Sequence, residues 1–207
     1  MKKLVLLFAA CIFLTAFQVN EKLFTGKIYY KYTFTDLQGN NINEQLEPYL
    51  GKEQNYFIDA SNYKSYNQDK LCQLYHSNTN SYYYITDNTA KKMDGSQVTS
   101  QKFIVTHLDK TEKVAGFVCK SLQVETDDAT TVYYYSPEVK TDKKVFAKHN
   151  FGEWNKYLEA TNGALALKFI MTNKKNGFIW TSTAMEIVKM ELAAKDFAMP
   201  DNVQIKE

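Results

Sequence analysis

The chain has no arginine; all 25 of its basic residues are lysines. Without the planar guanidinium fork it lacks the side chain best suited to read phosphates, carboxylates and guanine edges in bidentate fashion. Nucleic-acid recognition is therefore excluded as an expectation. Glycine (8) and proline (3) are scarce, which argues against a fibrous or disordered chain. Cysteine is scarce too, with Cys11, Cys72 and Cys119 in 207 residues and no C-x-x-C pair. A dense disulfide scaffold and a zinc ribbon are both ruled out on that count. No G-x-S-x-G elbow, glycine-rich phosphate loop or His-x-x-x-His pair is present.

Long apolar runs are missing as well, with one exception at the start. Lys2 and Lys3 precede an apolar stretch from Leu4 to Phe17, short of the roughly 20 residues that cross a bilayer as a helix. This pattern reads as a signal peptide over residues 1–18, cleaved after Gln18, with Ala16 as the alternative. Cys11 lies inside the run with Phe8 where a lipoprotein signal wants leucine, so it reads as discarded rather than lipidated. The expected destination is the periplasm or cell envelope of a Gram-negative bacterium. Removal of two lysines leaves 23 basic against 23 acidic side chains. The precursor's pI of about 8.2 then says nothing about an anionic partner.

What the chain has in quantity is aromatic side chains, including 15 Tyr and 13 Phe. That enrichment favours strands. "LFTGKIYYKYTFT" alternates strictly, placing Phe24, Ile28, Tyr30, Tyr32 and Phe34 on one face. Short aromatic segments follow between turn signals at Asn67–Asp69, Asn78–Asn80, Asp87–Asn88, Asp94–Gly95, Asp127–Asp128 and Asn176–Gly177. Their spacing fits an antiparallel meander. Two helices are predicted. One lies in "NINEQLEPYLG", capped by Asn41 or Asn43 and stopped at Gly51. The other spans Phe151–Ala160, with Trp154, Tyr157 and Leu158 on one face and Asn162–Gly163 as its C-terminal cap.

The fold expected is mainly β (α+β): a single antiparallel sheet in residues 19–207, one domain with a tail loosely held from Ala198, covered by one or two short helices. In "KVAGFVCKSLQVET" the pattern puts Val118, Leu122 and Val124 on one face and Cys119 on the other. Cys72 and Cys119 are the two cysteines left after export, either disulfide-bonded to each other or separate buried thiols. His76, His107 and His149 fall in unrelated segments and read as partly exposed. His107 and Asp109 share a strand face without a poised serine beside them, and Glu44, Glu47, Glu153 and Glu159 read as solvated helix faces. No catalytic residue, metal site or cofactor is predicted.

The order of landmarks resembles a known group. "KVAGFVCK" (113–120), "TVYYYSPEVK" (131–140) and "AAKDFAMPDNVQI" (193–205) are similar to successive motifs of the GLPGLI family of exported proteins. Where that family's naming hexapeptide would fall stands "TNGALALKFI", so the resemblance is to a broader lipoprotein-carrier-like (LolA/LolB-like) superfamily. It implies a sheet curled into an open half-barrel with helices closing the mouth. It also implies a non-enzymatic role, with no catalytic residues to carry over. On this reading an apolar groove binds a lipid or other hydrophobic small molecule, walled by Phe24, Ile28, Tyr30, Tyr32 and Phe34, with Val118, Leu122, Val124, Trp154 and Leu158. The competing expectation is an envelope interaction module with a filled core, meeting an envelope protein through surface tyrosines.

Overall fold

The computed structural model describes residues 22–206; the signal-peptide reading, Gln18 and Cys11 lie outside them. The described residues form a 12-stranded sheet, not closed into a barrel, with two short α-helices. In chain order come β1 (Gly26–Asp36), α1 (Asn43–Leu50), β2 (Glu53–Ile58), β3 (Asn62–Asn67), β4 (Lys70–His76), β5 (Ser81–Thr86) and β6 (Thr89–Asp94). Then follow β7 (Ile104–Val114), β8 (Phe117–Glu125), β9 (Ala129–Lys140), α2 (Trp154–Ala160), β10 (Ala164–Asn173), β11 (Phe178–Lys189) and β12 (Gln204–Lys206).

The spatial order is β12-β6-β5-β4-β3-β2-β1-β11-β10-β9-β8-β7. β1 is thus the seam between two wings. The chain meanders outward from β2 to β6, crosses to the far edge at β7, and meanders back until β11 pairs with β1. Every pairing is antiparallel except β12 on β6.

β1 earns its central place by its alternation. Ile28, Tyr30, Tyr32 and Phe34 are all buried on one face, and Phe34 and Ile28 are completely so. They anchor the main core, which α2 covers with Tyr157 and Leu158 and which Phe146, Leu165 and Leu167 complete. Each such side chain contributes about 1.5–3 kcal/mol on burial. Gly26 has a specific reason to be glycine: any Cβ there would run into the Val188 carbonyl of β11.

The Asp127–Asp128 and Asn176–Gly177 turns make hairpins as their sequence suggests. α1 stops at Gly51, whose φ of 79° suits glycine and whose N–H reaches Glu47 O. Gly163 closes α2, its N–H reaching Leu158 O at 2.7 Å. Asp94–Gly95, in contrast, is not a hairpin. The carbonyl of Gly95 accepts from Asn150 N (2.6 Å) and Phe151 N (3.0 Å), so the chain is held to the 149–153 segment and released towards the opposite edge.

Phe197, just before the tail expected to be loosely held from Ala198, is buried with Leu74, Ile85 and Ala90 on the outer face of β4 to β6, and Met199 and Val203 pack against the same cluster. His76 Nε2 meets the Phe197 carbonyl at 2.8 Å. Lys64 Nζ donates to Asp196 O and sits over the rings of Phe57, Tyr66 and Phe197. β12 then adds to β6.

Candidate functional site

Because the strands alternate, one residue in two points inward, and across the seam these inward residues are mostly aromatic. The registers Tyr30↔Gln54, Tyr56↔Ser65, Tyr63↔Tyr75 and Tyr75↔Tyr82 carry the row through the first wing. Phe169↔Ser182 and Phe169↔Tyr133 carry it through the second. Between them lies a groove of about 330 Å³, bounded by both wings and roofed by Phe151, Gly152 and Trp154. Its walls include Tyr30, Tyr56, Tyr63, Tyr82, Tyr133 and Phe169; Gln54, Gln73, Thr131 and Ser182 supply scattered polarity. No charged side chain lines it among the described residues.

The rings support one another. Tyr82 stacks on Phe151 at 4.6 Å, Tyr133 meets Tyr157 at 4.8 Å, and Trp154 stacks on Tyr157 at 5.8 Å. Tyr30 donates its phenol proton to Ala166 O at 2.7 Å, bridging the seam. Burial pushes the Tyr133 phenol up to about 12, and raises those of Tyr30, Tyr56 and Tyr63 beyond the ordinary range. These phenols stay neutral at any physiological pH.

Sequence reasoning missed the residues that fix the roof. His149, expected to be partly exposed, is buried, lies flat on Tyr75 at 3.9 Å and shares a 2.7 Å hydrogen bond with Tyr63 Oη. Desolvation lowers its pKa to about 4. Glu153 is buried as well, not on a solvated face. Its carboxylate accepts from Ser100 N (2.7 Å), Thr99 N (3.1 Å) and Thr99 Oγ1 (3.0 Å). The roof is thereby tied to the β6–β7 crossover. Helix geometry placed Glu153 outside because the pattern was extended through it. In fact Phe151–Glu153 is a separate 3₁₀ turn, with left-handed φ at Gly152 and Glu153, and α2 begins only at Trp154.

Of the ten groove residues expected from sequence, Tyr30 and Trp154 line the groove. Tyr32 and Phe34 pack behind it against Trp180, at 5.0 and 5.8 Å. Phe24, Ile28 and Leu158 are buried in the filled core instead. Leu122 and Val124 belong to a different cluster, with Tyr135 and Ala164. Val118 is 64% exposed, because it pairs with Lys113 near the β7–β8 hairpin end, beyond the cover of α2. Cys119, expected away from the apolar side, is fully buried in the main core.

Cys72 and Cys119 are free thiols. They sit on β4 and β8, in opposite wings with six strands between them in the sheet order. Cys72 instead bonds locally to Ser65. Burial raises the pKa of both thiols. His107 and Asp109 are exposed on edge strand β7, where a bulge between Leu108 and Thr111 disturbs their alternation, while Cys119 is buried. The three do not converge in a cleft. Among the described residues no cluster of His, Cys, Asp and Glu is placed to hold a metal ion, and no helix is long and apolar enough to cross a membrane.

A second, open cleft of about 1040 Å³ lies between α1, the β3–β4 and β5–β6 turns and the tail. It is lined by Glu44, Glu47, Asp69 and Asp87 together with Lys52 and Lys70, and is a solvated surface feature rather than an enclosed site.

Fold and groove together define an open, curled antiparallel sheet with an internal aromatic recess. No protein-family model matches the sequence, and no curated protein matches it. The chain superposes on the solved structure of PNGF-II with a TM-score of 0.50 at 14% identity, over 88% of this chain and 31% of that one. It therefore spans about a third of that protein's length, and the likeness is one of fold. Other structural neighbours include a LolA superfamily protein from Nitrosomonas europaea, with a TM-score of 0.36 and 8% identity over 84% of this chain and 90% of that chain. They also include the MucA/MucB complex of Pseudomonas aeruginosa, with a TM-score of 0.39 and 8% identity over 87% of this chain and 58% of that one.

Proposed function

We propose that this is an exported envelope protein, a single domain over residues 19–207 after loss of residues 1–18, that binds a hydrophobic small molecule or lipid-like envelope component in the aromatic groove without transforming it. The observation that carries this reading is the groove itself: about 330 Å³ between the two wings, aromatic-walled and free of charged lining. Such recesses, apolar with a few placed polar groups, are what small-molecule sites look like. The volume stands at the small end of that range, enough for one medium chain or ring system and too little for several acyl chains. Tyr30, Tyr56, Tyr133 and Trp154 are the residues that would contact the ligand.

Native mass spectrometry of the mature protein, purified from its own envelope, tests this. A bound mass lost on organic extraction is the expected result. A bare mass, together with failure of every apolar probe to bind the purified protein, would leave the interaction-module reading in its place.

A further inference from the structure

The groove has no charges, but its walls contain hydrogen-bond donors with nothing to donate to. Trp154 Nε1 and Tyr56 Oη both belong to residues lining it, both are buried, and neither has a hydrogen-bond partner among the described residues. Two more such atoms stand directly behind the walls. Tyr157 Oη is one, on a ring that packs against Trp154 and Tyr133. Trp180 Nε1 is the other, on a ring that packs against Phe169 at 5.2 Å. Buried polar atoms are nearly always paired, and leaving one unpaired costs about 1–3 kcal/mol. Four around one recess form a pattern.

The chemistry of these atoms limits what can complete them. An indole N–H only donates, so its partner must be an acceptor; a phenol can also donate to the same acceptor. A charged acceptor is disfavoured by the surroundings. A carboxylate or phosphate brought into this recess would meet no lysine, and burying an uncompensated charge is far more costly than burying a dipole.

We propose that the groove selects an uncharged ligand that presents a hydrogen-bond acceptor, of the kind found in the carbonyl of an ester or amide, to Trp154 and Tyr56. This deepens the binding reading given above and rests on it. The aromatic walls hold the ligand's apolar body, the two donors orient its carbonyl, and the lack of cations rejects the corresponding carboxylate anion. Both donor atoms are covered by neighbouring side chains, so the ligand reaches them by turning the Trp154 or Tyr56 ring about its side-chain torsions.

Three probes of matched length separate the parts of this proposal: methyl octanoate, sodium octanoate and octane, titrated calorimetrically into the full mature chain at pH 7.5. Methyl octanoate is expected to bind at least about tenfold tighter than either of the others. Tyr56→Phe and Trp154→Phe should each weaken the ester by roughly fivefold more than they weaken octane, the size of one ordinary hydrogen bond, since both rings line the groove and octane loses only the packing that each change removes. Both variants keep an aromatic ring in place, and near-ultraviolet circular dichroism checks that they fold. Equal affinity for ester and octane in the parent, or equal losses for the two ligands in both variants, overturns the donor assignment yet leaves a hydrophobic groove standing. Tighter binding of octanoate overturns the charge selection. Failure of all three probes removes the groove reading beneath the proposal.

Discussion

The two wings use the same strand chemistry and are finished in opposite ways. In the first, strands β2 to β6 are six or seven residues long, and most are covered on both faces. Inside, the roof packs His149 and Phe151 against Tyr63, Tyr75 and Tyr82; outside, the tail lays Phe197 over Leu74 and Ile85. In the second, β7 to β11 run to between 9 and 12 residues. There the outer face is largely left to water. Met185 is exposed on it, and Lys168 bonds across it to Glu112 at 2.7 Å. Length of pairing and depth of cover are thus alternative ways to hold a sheet: one wing has many ladder hydrogen bonds, the other a sandwich of rings.

The sharpest way to break this contrast is to strip the same kind of contact from each wing. Phe197→Ala should cost about 3–5 kcal/mol, as large-to-small changes in a filled core do. Val118→Ala, at an exposed position, should stay within about 0.5 kcal/mol. Urea unfolding of both variants checks the pair, and equal losses would mean that the tail is not a structural cover.

Acid should act next most strongly, and on the covered wing. His149 has a folded pKa of about 4 against an ordinary 6.5, so between these values the unfolded chain holds a proton that the native chain refuses. The stabilisation is complete above pH 6.5 and is lost as pH falls towards 4, by about 3 kcal/mol in all. Urea midpoints measured from pH 7.5 to 4 should fall along this course. In His149→Phe that part of the pH dependence should disappear, with some loss of stability at neutral pH from the missing Tyr63 bond.

Smaller effects sharpen the picture at the junction and on the bare face. Glu153→Gln should cost about 1–3 kcal/mol, because the amide keeps the shape but loses acceptor strength towards Ser100 and Thr99. Faster hydrogen exchange at the amides of Thr99 and Ser100 would report it. Lys168→Met should change stability by less than about 1 kcal/mol, since the Glu112 pair lies partly in solvent. A thermal melt in low and high salt measures that difference.

Much of the local structure was readable from sequence because it is written in neighbouring residues. The period-two pattern of β1, the turns at Asp127–Asp128 and Asn176–Gly177, and the stop of α1 at Gly51 all depend on a few adjacent side chains. The groove depends on pairings between distant segments, and was not. Tyr82-Tyr83-Tyr84 is aromatic on both faces, so nothing local says that Tyr82 turns inward to the groove and Tyr83 outward towards the tail's cluster. Only the crossover and the β1–β11 pairing decide which aromatic rows face each other. Val118 shows the same limit from the other side: its strand pattern is apolar, but whether anything covers it is set by where α2 ends.

The placement of β1 also orders events in time. A chain that emerges N-terminus first can pair β1 with β2 early, whereas β11 arrives only after about 120 further residues have emerged. Throughout that interval the second edge of β1, whose Ile28 and Phe34 are fully buried in the finished core, stands unzipped, an open template for any passing strand. Stepwise emergence of this sheet therefore carries a period of exposure that ends only with the return of Phe178–Lys189, and a chain cut short before that point would be expected to aggregate through its own first strand.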